Sequence, residues 1–191
     1  MSAAEVLTPI PKLWEREIVD ANDFETVDGV QVEIPPMSAD SQVLAFRLAR
    51  RLSNYGIEQD LGEAFMEVIF RLPLPRERNR RPDVAFVPYS RWAKNKPIPS
   101  TNAWDVLPDL FVEVVSPTDR AEDDVETKVE EYLQSGARLV WVVYPRHGTI
   151  YVYDSPQIVR RLGRSDTLDG GPVLPGFQLP LAELFPEAPL S

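Results

Sequence analysis

Residues 107–119, LPDLFVEVVSPTD, constrain the fold of this chain more than any other stretch. Alternation puts Leu110, Val112 and Val114 on one side of an extended segment and Phe111, Glu113 and Val115 on the other. Both sides are apolar apart from Glu113, as expected of a central strand covered on its two faces. An unpaired carboxylate in such a strand costs several kcal/mol, on the order of the penalty for burying a bare charge. An arginine, a proton or a metal ion must therefore accompany Glu113.

Around this strand the pattern reads as a mixed sheet with helices. SADSQVLAFRLARRLSNYG predicts a helix capped by Ser38 or Asp40, with Val43, Leu44, Leu48 and Leu52 at helical spacing and Gly56 as its stop. Strands are predicted at 67–74 (EVIFRLPL), 83–89, 110–116, 139–145 and 149–155, where β-branched and aromatic residues run between Pro, Gly or Asp. Pro145–Gly148 predicts a hairpin between the last two. TDRAEDDVETKVEEYLQSG predicts a second helix, started by Thr118 or Asp119 and ended by Gly136, with Val125, Val129, Tyr132 and Leu133 as its apolar stripe. Strand, helix and strand in that order imply a right-handed crossover, and the whole implies an α/β or α+β fold with a central mixed sheet. Residues 1–37, irregular and punctuated by Pro9, Pro11, Pro35 and Pro36, read as an N-terminal arm that packs on the domain or on a partner. Residues 38–191 read as one domain.

Composition narrows the chemistry. Cysteine is absent, which removes disulfides, thiolate metal sites and cysteine nucleophiles and makes a cytoplasmic setting the expectation. No apolar run approaches the roughly 20 residues of a membrane span, and MSAAEVLTPIPKLWERE has no basic stretch followed by an apolar block, so neither anchor nor secretory leader is expected. The one histidine, His147, lies in the turn-like PRHG and is read as a turn residue. Any metal must then take oxygen ligands, which favours Mg²⁺, Ca²⁺ or Mn²⁺. A net charge of −10 argues against general adhesion to nucleic acid. Arginines are nevertheless clustered, Arg47, Arg50 and Arg51 in one group and Arg76, Arg78, Arg80 and Arg81 in another; solvated faces and a phosphate-binding patch are both open readings.

The second strand opens with RRPDV. If it lies antiparallel to the third, Asp83 meets Glu113 at one edge of the sheet. Two adjacent carboxylates repel, so one takes up a proton unless a cation sits between them. Lys128 flanks the apolar stripe of the second helix, where its stem can lie along the sheet and its ammonium near the acids. The structural alternatives stand beside this: Arg138 or Arg81 neutralising Glu113, Asp83 capping a turn, and Lys128 pairing with Asp124 on the helix surface.

RPDVAFVP, PDLFVEVVSPTDR, KVEEYLQSGARLVWVVYP and DTLDGGPVLPGFQLPLAELF together resemble the Uma-type family of restriction endonucleases, also called domain of unknown function 820. The resemblance runs over about residues 30–187. It implies the restriction-endonuclease-like core of the PD-(D/E)xK nucleases, with Asp83 as first metal ligand and Glu113 as second. The lysine usual two residues after the second acid is replaced by Val115; Lys128 matches the place to which it has migrated in some of these nucleases. Glu67 is a further candidate acid, and Asp109 reads as structural. The reaction implied is hydrolysis of nucleic-acid phosphodiester bonds, with double-stranded DNA as the expected substrate. Asp83, Glu113 and the Val114 carbonyl would hold Mg²⁺ or Mn²⁺ and Lys128 would assist, while Arg76, Arg78, Arg80 and Arg81 would meet the phosphate backbone. A homodimer is expected because cutting both strands takes two sites. The competing readings are an inactive binding module on the same fold and a dimeric structural protein with an incidental acidic cluster.

Overall fold

The structure, a computed structural model, describes residues 24–34, 36–116, 122–155 and 157–185. In chain order the elements are β1 (Phe24–Val27), β2 (Val30–Glu33), α1 (Ala39–Glu58), β3 (Gly62–Met66), β4 (Phe70–Leu72), β5 (Arg78–Arg80), β6 (Val84–Pro88) and β7 (Leu110–Val114). They continue with α2 (Glu122–Gln134), β8 (Leu139–Tyr144), β9 (Thr149–Ser155), β10 (Ile158–Leu162), β11 (Thr167–Gly170), β12 (Leu174–Pro180) and the short α3 (Leu181–Leu184).

A six-stranded sheet in the order β10-β9-β8-β7-β6-β3 carries the molecule. Only β7 and β8 run parallel, joined through α2; their neighbours are antiparallel. All five residues of β7 are buried, as its two apolar faces require. One face packs Leu110, Val112, Val114 and Trp141 against Leu44, Leu48 and Leu52 of α1 and against Phe177 and Leu181. The other packs Phe111, Val140 and Val142 against Val129 and Tyr132 of α2 and against Phe70 and Trp104. Glu113 alternates with Phe111 and therefore lies on the α2 face. A second sheet, β2-β1-β5-β4, is antiparallel throughout, and β11 pairs with β12 as a separate hairpin.

Several elements differ from the sequence expectation. Of the strand expected over 67–74 only β4 (70–72) forms, and it belongs to the second sheet; β3, which was not expected, precedes it and ends at Met66. The change of sheet falls at Glu67, whose φ of 57° is left-handed, a conformation costing a non-glycine residue roughly 1–2 kcal/mol. The stretch expected to be irregular contains the β1–β2 hairpin, turned by Asp28 and Gly29, both at positive φ. On α1, Leu44, Leu48 and Leu52 are buried as expected, but Val43 faces solvent and Ala45 and Ala49 widen the stripe on the other side. The start expected for α2, Thr118 or Asp119, lies outside the described residues. His147 sits exposed in a single 3₁₀ turn between β8 and β9. Among the described residues no helix is long and apolar enough to cross a membrane.

Gly56 does not stop α1, which continues to Glu58 and is closed by Asp60 in the left-handed region. Its role is close packing: a Cβ there would lie 2.5 Å from Phe86 Cε2 and 2.6 Å from the Gly62 carbonyl. Alanine normally favours a helix interior over glycine by about 1 kcal/mol, but overpacking costs about 1–3 kcal/mol. Gly56→Ala should therefore lower Tm in thermal melts; a rise would show that the α1–β6 contact yields easily.

Candidate active site

The antiparallel register pairs Val84 with Val112, so the residue before β6, Asp83, comes opposite Glu113. The Val114 N–H donates to Asp83 Oδ2, locking that carboxylate to the end of β7. Glu113 is held from the other side by α2. Tyr132 Oη donates to Glu113 Oε1 at 2.6 Å, and the tyrosine ring stacks on Phe111 with centroids 4.0 Å apart. Lys128 lies one turn before Tyr132 on the same helix face, its Nζ 3.6 Å from Glu113 Oε2. Periodicity explains the fit: residues i and i+4 on the helix meet residues i and i+2 on the strand.

A third carboxylate enters from the N-terminal hairpin. Glu25 on β1 is buried, and its Oε1 lies 3.0 Å from Lys128 Nζ, nearer than Glu113 does. The Arg81 backbone N–H donates to Glu25 Oε1 at 2.9 Å, and Arg80 Nη1 donates to Oε2 at 2.6 Å. Arg80 Nε in turn donates to Glu131 Oε2 at 2.7 Å, and Arg78 joins Glu131 to Asp28. A continuous ionic chain thus runs from the hairpin turn through β5 and α2 to Glu113.

This places the arginines differently from the expectation. Arg80 is 3% exposed and spent on Glu25 and Glu131, Arg78 is largely covered, and Arg81 Nε lies 3.2 Å from Glu67. A guanidinium buried between two carboxylates has no surface to offer a phosphate backbone. Arg76 alone of the four keeps a mostly exposed side chain, 3.4 Å from Asp28. The arginines suggested as partners of Glu113 are engaged elsewhere: Arg138 meets Asp109, which also accepts from Arg91, and Arg81 meets Glu67. Asp109 has the structural role expected of it.

Electrostatics separate the acids into two kinds. Burial raises the Glu25 carboxyl, but Lys128, Arg80 and the Arg81 amide outweigh it, so Glu25 titrates below the usual range and stays charged. Asp83 is pushed well above the usual range, by burial first and then by Glu113, with Glu67 adding to the repulsion. Glu113 is also raised by burial, against the lowering effect of Lys128. Lys128 loses from burial but gains more from Glu113 and Glu25, and is held above its ordinary value. Its single charge is divided between two carboxylates and leaves the Asp83–Glu113 pair under-neutralised.

That pair fits a hard divalent cation, because buried carboxylates that repel are relieved by a shared positive ion. Among the described residues no group of three or more acids or histidines converges as a ready metal cage. Two carboxylates are enough for Mg²⁺, which keeps several waters and commonly uses one or two protein carboxylates. Tyr132 and Glu25 are the members of the site that the sequence reading missed. Tyr132 was signalled by its position four residues after Lys128; for Glu25 the available signal was the Asp-Gly turn that makes its hairpin.

A mixed sheet with one parallel pair at its centre, a crossover helix and acids at adjacent strand ends defines a restriction-endonuclease-like α/β fold. The chain belongs to the Uma2 family, described as "Putative restriction endonuclease", whose model matches residues 14–182. A solved structure described as a "putative nuclease belonging to DUF820", from Anabaena variabilis, superposes with a TM-score of 0.74 at 18% identity. It covers 85% of this chain and 89% of its own. At that identity the likeness shows a common fold. No curated protein matches the chain. Family membership supports a nuclease.

Repulsion at the pair makes a prediction about the metal-free protein. A carboxyl raised in the folded state contributes stability that is present below its unfolded pKa and lost as pH rises through the folded value. Asp83→Asn removes the repulsion and keeps an acceptor for the Val114 N–H. Its Tm without metal should match the parent near pH 4 and exceed it by about 2–4 °C at neutral pH, the equivalent of roughly 1 kcal/mol at this size. A lower Tm at neutral pH would mean the charge on Asp83 is stabilising.

Proposed function

We propose that this chain is a divalent-metal-dependent endonuclease that hydrolyses phosphodiester bonds of double-stranded DNA. The observation that carries the reading is the meeting of Asp83, Glu113 and Lys128 at one end of β6 and β7, with the ammonium 3.6 Å from Glu113. Titratable groups with values perturbed by burial and by a specific charge partner cluster at functional sites, and Asp83 and Glu113, both raised, lie beside the charged Lys128.

Asp83 and Glu113, with the Val114 carbonyl, would hold Mg²⁺ or Mn²⁺. Bound there, the cation supplies Lewis-acid stabilisation of the phosphate and lowers the pKa of water. The remaining work falls to the chain. Tyr132 fixes the Glu113 rotamer through Oε1, so that Oε2 faces Lys128. Val114 fixes Asp83 through its N–H, with the strand pairing of β7 and β8 behind it. Lys128, with one N–H directed at Glu25, would turn its remaining donors to the attacking water or to an oxygen of the scissile phosphate, where charge grows in the transition state. It does this from α2, in place of the residue two positions after Glu113, which is the apolar Val115. Glu67, at the strained junction of β3, adds a carboxylate to the rim and is balanced by Arg81. Cutting both strands of a duplex calls for two such sites, hence a homodimer.

A plasmid-nicking assay tests this. The protein should convert supercoiled DNA to open circles with Mg²⁺ or Mn²⁺ and not with EDTA. Glu113→Ala and Asp83→Ala should abolish measurable nicking, and Lys128→Met should reduce it about 10²–10³-fold, the usual loss for one transition-state donor. A folded protein that binds Mn²⁺ yet nicks neither DNA nor RNA would instead be a binding module on the nuclease fold.

A further inference from the structure

The β1–β2 hairpin is an unusual structural element in what it buries. β2 is exposed along its whole length, and Glu25 is the one buried residue of the two strands. An element whose anchor is a carboxylate gains little by the hydrophobic effect, and a buried ion pair is a weak source of stability because desolvation offsets the attraction. The hairpin therefore does something other than complete the core.

Its carboxylate is aimed and fixed. Register places Val27 opposite Arg78 and Thr26 opposite Asn79, which carries Glu25 to the level of Arg80. Arg80, the last residue of β5, donates to Oε2, and the Arg81 backbone N–H just after it donates to Oε1. The same Oε1 also faces Lys128 at 3.0 Å. Lys128 has a long flexible stem, and without Glu25 its ammonium would be drawn from its present 3.6 Å into direct contact with Glu113. That collapse would put a lysine where a metal ion has to sit.

We propose that Glu25 is a positioning residue, holding the Lys128 ammonium off Glu113 and aimed at the reacting phosphate. This rests on the nuclease reading of the same site. Glu25 itself touches neither metal nor substrate; it acts through Lys128, and the hairpin exists to deliver it. An acid on a separate element thereby restores the fixed geometry that a lysine on β7 would have from the strand itself.

The test is Glu25→Gln, which keeps the shape and removes the charge, read in two ways. With ¹⁵N-lysine labelling the chain has four lysines, Lys12, Lys94, Lys96 and Lys128. Lys94 and Lys96 are exposed, so the ammonium of the buried Lys128 is expected as a slowly exchanging signal that disappears in Lys128→Met. Glu25→Gln should shift and broaden that signal while leaving Mn²⁺ affinity within about twofold. In the nicking assay kcat should fall about 10–100-fold at unchanged KM, and the Glu25→Gln, Lys128→Met double variant should be no slower than Lys128→Met alone. If Glu25→Gln loses its fold by circular dichroism, Glu25→Asp gives the same readings, since it keeps the charge facing Arg80 while withdrawing from Lys128. An unchanged lysine signal overturns the proposal, as does a Mn²⁺ affinity lowered tenfold or more, which would make Glu25 a ligand. If the lysine signal responds but even the parent protein never nicks, the Glu25–Lys128 coupling stands and the nuclease reading falls.

Discussion

One ammonium, that of Lys128, lies buried between two carboxylates delivered by distant parts of the chain, and the rest of the site depends on it. Glu113 comes from the central strand and Glu25 from the N-terminal hairpin, while the lysine comes from the crossover helix between. Removing Lys128 leaves both acids short of their counter-charge, and breaking a buried ion pair by removing one partner costs about 3–5 kcal/mol in comparable sites. Replacing the whole group with apolar residues would cost far less.

The same reasoning explains the architecture around it. The parallel β7–β8 pair demands a crossover, the crossover supplies α2, and α2 lays Lys128 and Tyr132 over the face of β7 that carries Phe111 and Glu113. The antiparallel β6 then brings Asp83 to the same end. Arg80 and Glu131 tie the second sheet to α2, so the hairpin cannot shift without disturbing the lysine. Fold and site are joined through charge, and apolar packing holds the sheet and helices beneath them.

How much of this was legible in the sequence follows from the range of each signal. Glu113 was conspicuous because a single acid interrupts an apolar alternation, and α2 was found because its stripe repeats at helical spacing. Lys128 could be placed near the acids from its position beside that stripe. Glu25 could not, since nothing local links a residue of β1 to a helix about a hundred positions later; only pairing between β1 and β5 brings them together. The hairpin itself was readable in principle. VDGV, an Asp-Gly pair between β-branched residues, is a strong two-residue turn signal, although the prolines on either side of it give the stretch an irregular look. The change of sheet at Glu67 was hidden because the VIF that follows it favours a strand, while the left-handed residue is set by the passage from one sheet to the other. The arginines misled for a physical reason: a run of like charges normally faces solvent, but here β5 lies beneath Glu25 and Glu131, and pairing draws Arg78 and Arg80 inward.

The central claim is that Asp83 and Glu113 form a cation site beside a charged lysine. A crystal soaked in Mn²⁺ and measured at the manganese absorption edge tests it most directly. An anomalous peak within about 2.0–2.3 Å of one oxygen from each carboxylate, bracketing the bond lengths expected of hard divalent ions, with Lys128 still on Glu25, is the predicted result. A map with no peak there, and Lys128 Nζ moved onto Asp83 and Glu113 in its stead, would contradict the account.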